Sequence, residues 1–402
     1  MPWKCLPLEL RLMILENLRH SRIEHIQDNA RPRYGLSAYT AVCGEWQHFF
    51  EEVNFKHLIL RQSDIPEFER IVQGSRRTFV KWIWLRMVLP KYDCDKCNEK
   101  ESLDEVRSHN YLFTKAIWNL FEILSVWGKK GEVNVTKAGV TLELSAHSPS
   151  DAMHSCKELK SRIKDTAWGE SKRGPLRKYT DKTHGWIKGR QVRRPSDDAK
   201  IRVFGPPSGL GFDLRARLTR KKRIPPRVDI VGRLVVRRQF YRHFSVTKAL
   251  YPIFKSLTQL RQFTYEPWRG IDTRNVSGRT IRDDQHHVLF SDAFKYRRSL
   301  RIVSIFEDFN NQVFHPNIER ERSRILGQDL ARSSRHFEEL HVALNVDARD
   351  FFHAFWPGQG PNLGKGMQWN NLKMFSSRTK DAKDGHDGAV EWRDTSLLYL
   401  SL

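Results

Sequence analysis

The stretch Leu260-Arg261-Gln262-Phe263-Thr264-Tyr265 opens the most regular part of this 402-residue chain. Its length and its aromatic residues are typical of a short β-strand. Three further strand-like runs follow, and the four runs begin at positions 260, 300, 337 and 372, which lie 40, 37 and 35 residues apart. Helical runs fall between them. One strand and one helix per unit, stacked in order, predict an α/β repeat domain whose units share one core.

The same alternation of strands and helices extends toward the N-terminus. The predicted strands are Phe55–Leu60, Val80–Leu85, Val140–Leu144, Val228–Val236, Leu260–Tyr265, Leu300–Phe306, Phe337–Leu344 and Leu372–Phe375. The predicted helices are Ile65–Val72, Tyr111–Trp127, Val246–Leu257, Arg322–Ser333 and Ala348–Trp356. The units are longer than ordinary leucine-rich repeats and lack their asparagine ladder, so we predict an irregular leucine-rich-repeat-like solenoid. A doubly wound α/β domain would produce a similar alternation and stays open as the alternative.

The first fifty residues follow a helical period instead. Apolar residues recur every four positions, which predicts one apolar stripe along a helix. The stripe consists of Leu6, Leu10, Ile14 and Leu18, with Leu15 beside it. A second helix is expected from about Ser37, and it is expected to bury Tyr39, Val42, Trp46 and Phe49 or Phe50. The plain interpretation of such a stripe is an amphipathic helix that caps the repeat domain.

This N-terminal pattern resembles the F-box over roughly the first 50 residues. In that family a Leu-Pro pair opens the motif, an Ile-Leu pair and a later Leu follow, and a Val and a Trp close it. The resemblance implies a helical module that binds the Skp adaptor of a cullin–RING ubiquitin ligase. The residues that carry it are Leu6, Pro7, Leu10, Ile14, Leu15, Leu18, Val42 and Trp46. The polar stretch from Ser21 to Arg33 is longer than the family pattern suggests.

The remainder of the chain is similar to a group of fungal F-box proteins. Short strings spread over most of its length carry this similarity. They are Leu89-Pro90-Lys91-Tyr92-Asp93-Cys94, Ser148-Pro149-Ser150-Asp151, Tyr265-Glu266-Pro267-Trp268-Arg269, Phe306-Glu307-Asp308-Phe309 and Asp347-Ala348-Arg349-Asp350-Phe351-Phe352. The resemblance implies a non-enzymatic adaptor of an SCF-type ligase, in which the repeat-like domain binds a protein substrate.

Positive charge is concentrated in one part of the chain. The formal net charge is +23, and the stretch from Lys157 to Arg238 alone carries 25 Lys and Arg against 8 Asp and Glu. We predict that residues 157–227 form a basic, partly disordered insertion. Its cluster Arg220, Lys221, Lys222 and Arg223 is a candidate nuclear-import or anion-binding site. Trp168, Tyr179 and Trp186 are interleaved with the charge, so nucleic-acid binding is the alternative function.

Composition sets the expected compartment and domain limits. The N-terminus lacks an apolar signal segment and no long apolar run occurs, so we expect a cytoplasmic or nuclear protein without a membrane span. The five cysteines fit a reducing compartment. The expected domains are an F-box module at 1–53, repeat-like parts at 54–156 and 228–380 around the insertion, and an irregular tail at 381–402. The polar tail suggests a truncated or altered form of the family pattern.

Three further patterns point to chemistry but are incomplete. Cys94 and Cys97 have zinc-ligand spacing, yet no second pair follows, and only the fold could add His109, His154 or Cys156. The stretch Gly360–Gly366 resembles a phosphate-binding loop but has the wrong spacing. Asp283, Asp284, His286 and His287 lie close together, and we interpret them as a solvated loop. We therefore predict no metal site, no cofactor, no catalytic residue and no enzymatic activity.

Overall fold

The structure is a computed structural model that describes residues 3–27, 36–127, 139–154, 156, 180–213, 215, 224–270, 276–310, 313–314, 323–353, 369 and 371–378. Its centre is a mixed α/β domain built on an eight-stranded sheet. The strands of this central sheet are β1 (His57–Leu60), β2 (Trp82–Val88), β3 (Val140–His147), β6 (Val231–Val236), β7 (Gln262–Tyr265), β9 (Ile302–Phe306), β11 (Glu339–Ala343) and β12 (Met374–Arg378). A separate pair of short parallel strands consists of β8 (Trp268–Arg269) and β10 (Asp308–Phe309). Each of the eight predicted strands is thereby confirmed, with its ends shifted by a few residues.

Every neighbouring pair of strands in the central sheet is parallel, and the strands lie side by side in chain order. A doubly wound sheet reverses its strand order at a switch point between its two halves. This sheet has no such reversal among its eight strands. The doubly wound alternative is therefore wrong, and the expected α/β class is confirmed.

The pairing register places one apolar residue of every strand in a continuous row. The row runs through Leu58, Ile83, Leu142, Leu234, Phe263, Val303, Leu340 and Phe375. Paired residues of parallel strands project to the same face of the sheet, so the row forms an unbroken apolar strip. All of its members except the half-buried Leu58 are buried. We call this side of the sheet the apolar face.

Several helices of the central domain cover the apolar face and complete the main core. The helices of the central domain are α3 (Ile65–Ile71), α4 (Arg76–Phe79), α5 (Leu103–Ser125), α6 (Asp197–Phe204), α7 (Tyr251–Ser256), α8 (Val276–His287), α9 (Arg324–Ser333) and α10 (Ala348–Phe352). Short π-helical turns, Val246–Leu250 and Val288–Phe294, lead into α7 and follow α8. The longest helix, α5, begins at a capping box in which Ser102 and Glu105 bind each other's backbone N–H. Its buried face includes Phe113, Leu120 and Leu124.

Residues 180–213 are packed into the domain, although they lie within the segment expected to be a basic, partly disordered insertion. They form a small hairpin of β4 (Trp186–Ile187) and β5 (Arg190–Gln191) and then α6. Leu210 and Phe212 join the main core, and Phe204 joins a second core cluster on the opposite side of the sheet. Trp186 is buried, so it is not available to stack on nucleic-acid bases.

Several features expected from the sequence lie outside the described residues. They are the basic cluster Arg220–Arg223, Trp168, Tyr179, the loop Gly360–Gly366 and the tail 381–402. Among the helices that the structure describes, none is long and apolar enough to cross a membrane.

The apolar row provides a direct test of the sheet. Replacing Leu340 by Ala should lower the free energy of unfolding by about 2–5 kcal/mol, because it leaves a cavity at a fully buried position. The same replacement by Ala at the half-buried Ser304, which lies on the other face of the neighbouring strand, should change the free energy of unfolding by less than about 0.5 kcal/mol. Urea unfolding of both variants measures the difference. Equal losses would contradict the assignment of faces.

Candidate functional site

The N-terminal module carries most of the residues expected to bind a partner. It consists of a short 3-10 turn (Trp3–Cys5), α1 (Leu8–Gln27), a second 3-10 segment (Leu36–Ala41) and α2 (Gly44–Lys56). The second helix thus begins at Gly44, later than the expected Ser37, because residues 36–41 take the tighter 3-10 conformation. The helix α2 then leads directly into β1, so the module joins the central sheet without a linker.

A small aromatic core holds the module together. Trp46 lies 5.2 Å from Trp3, 5.9 Å from Tyr39 and 5.8 Å from Phe50, measured between ring centroids. Glu45 links α2 to the N-terminal segment, since its carboxylate accepts hydrogen bonds from the Trp3 indole at 2.9 Å and from Arg11 at 2.6 Å. Trp46 therefore contributes to the stability of the module.

The structure divides the expected partner-binding residues into a buried or half-buried group and an exposed group. The sequence alone did not distinguish these two groups. Leu15 is fully buried, and Leu6, Leu18 and Trp46 are half-buried. The remaining residues are exposed: Pro7, Leu10, Ile14 and Val42. The expectation that Val42 would be buried is wrong, because it precedes α2 and leaves 58% of its surface exposed.

Among the side chains of this module that the structure describes, six large apolar ones are exposed. They are Leu8, Leu10, Leu12, Met13, Ile14 and Val42, and we call them the N-terminal apolar surface. Their exposed fractions range from 38% for Ile14 to 58% for Val42. Single exposed apolar residues are common on protein surfaces, whereas a large exposed apolar patch often marks an interaction site.

The second side of the central sheet is polar and aromatic, and we call it the polar face. One register row crosses it through His57, Trp82, Thr141, Arg233, Gln262, Ile302, Glu339 and Met374. The next row on this face runs through Ile59, Trp84, Glu143, Val235, Thr264, Ser304, His341 and Ser376. The first row is half-buried or exposed along its whole length. It therefore presents side chains from eight successive strands on one surface.

Arginine and tryptophan side chains are organised on the polar face around one buried carboxylate. Glu143 accepts a hydrogen bond from the Trp82 indole at 3.0 Å and two from Arg237, both at 2.8 Å. The guanidinium groups of Arg233 and Arg237 lie 5.6 and 5.7 Å from the centre of the Trp82 ring. Burial raises the pKa of Glu143, and the hydrogen bonds from Arg237 oppose that rise. Arg and Trp are the residue types that most often dominate protein interfaces.

The group Asp283, Asp284, His286 and His287 does not form the expected solvated loop, because these residues lie in α8. His286 is buried, and its Nε2 lies 3.0 Å from the Asn345 amide. The same amide donates to Glu307, which also accepts hydrogen bonds from Arg282 at 2.9 and 3.0 Å. Burial alone would raise the pKa of Glu307, but the charge of Arg282 outweighs it and holds that pKa well below its usual range.

Only one of the three residues that the sequence suggested as further zinc ligands lies beside Cys94 and Cys97. His109 pairs with Glu101 at 3.1 Å, and Cys156 belongs to the second core cluster. His154 does lie beside Cys94 and Cys97, and His184 joins them. No local spacing pointed to His184, because it lies 87 residues beyond Cys97 in the segment that was expected to be partly disordered.

Positive charge also converges outside residues 157–227. A cleft of about 930 Å³ lies beside α9 and the turn that follows α8. Five of its lining residues are basic, namely Lys295, Arg298, Arg301, Arg332 and Arg335, and one is acidic, Asp329. A cleft lined mainly by one sign of charge attracts ligands of the opposite sign.

Comparison with known proteins finds one partial similarity. The model of a family described as a family of unknown function (DUF6546) matches residues 295–389. This stretch includes β9, α9, β11, α10 and β12. No curated protein and no solved structure matches the chain.

The buried Arg282–Glu307 pair predicts a specific pH dependence. Replacing Glu307 by Gln should cost about 3–5 kcal/mol at neutral pH, because it leaves the buried Arg282 without its main partner. A carboxyl whose pKa is lowered in the folded state stabilises the protein above its unfolded pKa and loses that effect as the pH falls. The difference between wild type and variant should therefore shrink between neutral and acidic pH.

Urea unfolding at a series of pH values measures this effect. Glu338→Gln is the matched control, since Glu338 pairs with Lys373 at 3.0 Å on the surface and should cost less than about 1 kcal/mol. A difference between wild type and Glu307→Gln that stays constant with pH would contradict the ionised state assigned to Glu307.

Proposed function

We propose that this protein is a non-enzymatic substrate adaptor of an SCF-type ubiquitin ligase. In this proposal the N-terminal module acts as an F-box and binds the Skp adaptor. The observation that carries it is the N-terminal apolar surface on a module whose own core is already filled by Leu15, Trp46 and Phe50. Exposed apolar side chains without a role in the module's core are what a helical docking partner requires.

The exposed members of the F-box-like pattern support the same proposal. Leu10, Ile14 and Val42 belong to the residues that carry the resemblance to F-box proteins, and each is more than a third exposed. Leu15 and Trp46 hold the module in shape. The two groups provide the two roles that an adaptor-binding module needs, a stable core and an accessible apolar surface.

The substrate, in this proposal, binds the polar face of the central sheet. A parallel sheet whose strands follow chain order presents alternate residues of successive strands on one continuous surface. Irregular leucine-rich-repeat-like stacking would account for this order, and repeat domains use such surfaces to bind other proteins. The Arg and Trp side chains around Glu143 are the strongest candidates for substrate contacts. Ubiquitin transfer itself is left to other subunits of the ligase.

Direct binding to a purified Skp adaptor tests the proposal. Replacing both Leu10 and Ile14 by Ser should weaken binding by at least about 30-fold, since a buried interface anchor contributes about 2 kcal/mol or more. Thermal unfolding of the variant should stay close to that of wild type, because both residues are exposed. Isothermal titration calorimetry measures the affinity.

The control for this experiment is the double variant Leu103→Ser, Ile325→Ser. It removes two exposed apolar residues elsewhere on the protein and should leave adaptor binding unchanged. The F-box assignment would be abandoned if wild type did not bind the Skp adaptor, or if the Leu10, Ile14 variant bound it as tightly as wild type.

A second candidate function is binding to a polyanion such as a nucleic acid. The observation in its favour is the basic cleft lined by Lys295, Arg298, Arg301, Arg332 and Arg335. The basic residues 157–227 were the expected site, but deleting them would remove Phe204, Leu210 and Phe212 from the two cores. Point substitutions in the cleft are therefore the informative test.

This second candidate function is tested by measuring the affinity for single-stranded RNA with fluorescence anisotropy. Binding should weaken steeply as salt rises, because each phosphate contact releases counterions. Replacing the exposed Lys295 and Arg298 by Gln should lower the affinity and reduce the salt slope by about 1 per lost phosphate contact. Replacing the exposed Lys115 by Gln is the control. Absence of binding at low salt would eliminate this function.

A further inference from the structure

Two thiols and two imidazoles converge at one point beside the loop that follows β2. The residues are Cys94, Cys97, His154 and His184, and their nearest ligand atoms all lie within 4.8 Å of one another. They come from three separate places: the 3-10 turn Cys94–Lys96, the loop after β3, and the turn before β4. Such convergence of four soft and borderline donors from distant segments is the arrangement of a structural zinc site.

The three separations between His184 and the other members of the cluster fit a tetrahedral ion. The Nε2 atom of His184 lies 3.3 Å from the Cys94 Sγ, 3.6 Å from the Cys97 Sγ and 3.2 Å from the His154 Nδ1. Zinc bonds of about 2.3 Å to sulfur and about 2.0–2.1 Å to nitrogen imply tetrahedral edges of roughly 3.5 Å between sulfur and nitrogen and roughly 3.3 Å between two nitrogens. The three measured separations lie within about 0.2 Å of these values.

A single hydrogen bond does not account for all the close contacts of the His184 Nε2 atom. One imidazole nitrogen takes part in one conventional hydrogen bond, as donor or as acceptor. Here three donor or acceptor atoms surround the single Nε2 of His184 at distances of 3.2–3.6 Å. Two of the three would be left without a bond to that nitrogen. A cation at the centre of the four atoms would bind all of them at once.

The second ring nitrogen of His184 has the partner that zinc-binding histidines usually have. Its Nδ1 donates to the Asp181 carboxylate at 2.6 Å. This bond leaves the Nε2 lone pair directed toward Cys94, Cys97 and His154. Asp181 is itself held in place, because its backbone exchanges two hydrogen bonds with Trp186, at 2.8 and 2.9 Å. The ring is therefore oriented before any ion arrives.

The surroundings of the cluster fit a closed structural site. Cys97 and the side chain of His184 are almost entirely buried, whereas Cys94 is exposed and provides a route for the ion. The His154 ring packs against Tyr92 at 5.4 Å. Four protein ligands leave no open position for a substrate, which distinguishes a structural zinc site from a catalytic one.

We propose that Cys94, Cys97, His154 and His184 bind one Zn²⁺ ion, with Asp181 as a positioning residue for His184. The ion joins the loop after β2 and the loop after β3 to the hairpin of β4 and β5. It thereby anchors that hairpin, which belongs to the basic segment 157–227, to the central domain. This site is independent of the F-box assignment and of the basic cleft.

Metal content and spectroscopy of the full chain test the proposal. Protein purified without chelators should contain about one zinc ion per chain by mass spectrometry, as a four-ligand site requires. Replacing the zinc by Co²⁺ should produce the visible d–d bands of a tetrahedral ion and the charge-transfer band of thiolate ligands. Wild-type protein that retains no zinc after desalting, or whose Co²⁺ form lacks these bands, would overturn the proposal.

Variants identify the ligands. Cys97→Ser and His184→Ala should lose the zinc, whereas Cys43→Ser, which removes an exposed thiol in the N-terminal module, should retain it. Asp181→Asn should still bind one ion at saturating zinc, but with about 10- to 100-fold lower affinity by competition with a chromophoric chelator. Full zinc content in Cys97→Ser, or unchanged affinity in Asp181→Asn, would contradict the assigned roles.

Chelation provides a measurement that does not depend on the folding of the variants. Treating wild type with EDTA should lower its Tm, because the ion binds the folded state in preference to the unfolded chain. Restoring equimolar Zn²⁺ should restore the Tm. An EDTA-treated protein with the same Tm as the zinc-loaded protein would rule out a structural ion at this position.

Discussion

In-register hydrogen bonding between parallel strands is the constraint on which the other features of this protein depend. Each strand of the central sheet pairs with the next strand of the same sheet along the chain, and the register continues from His57 in β1 to Met374 in β12. Paired residues of neighbouring strands project to the same side. One apolar residue per strand is therefore enough to build an unbroken apolar row, and the residues that alternate with it build the opposite, more polar surface.

Buried ion pairs hold the segments that follow the strands. Arg242 donates two hydrogen bonds to Glu101, at 2.6 and 2.9 Å, although the two residues are 141 positions apart. Burial would raise the pKa of Glu101, but Arg242 and His109 hold it at about 2. Such pairs contribute little net stability, because removing both charges from water costs about as much as their attraction provides. Removing one partner alone is costly, because it leaves the other charge buried and unpaired.

The N-terminal module and the central sheet bury their apolar residues in different ways. The central sheet and its helices bury most of the large apolar residues that the structure describes there, between strands and helices. The module is small, and Leu15 and Phe50 are its fully buried apolar residues among those described. A module of this size encloses few side chains, so apolar residues such as Leu10 and Val42 remain outside. This difference in burial is the physical basis for the proposal that the module binds a partner.

Local pattern determined the strands and several helices of this protein. The alternation and spacing of apolar residues predicted β7, β9, β11 and β12, because strand and helix periods are properties of short segments. Tertiary structure alone decided which residues of the N-terminal stripe are exposed. It also decided that His286 is buried and that His154 and His184 lie beside Cys94 and Cys97. These outcomes depend on side chains that approach from positions tens of residues apart in the chain. Local sequence periodicity does not predict such distances, because they are set by how whole helices and strands pack against one another.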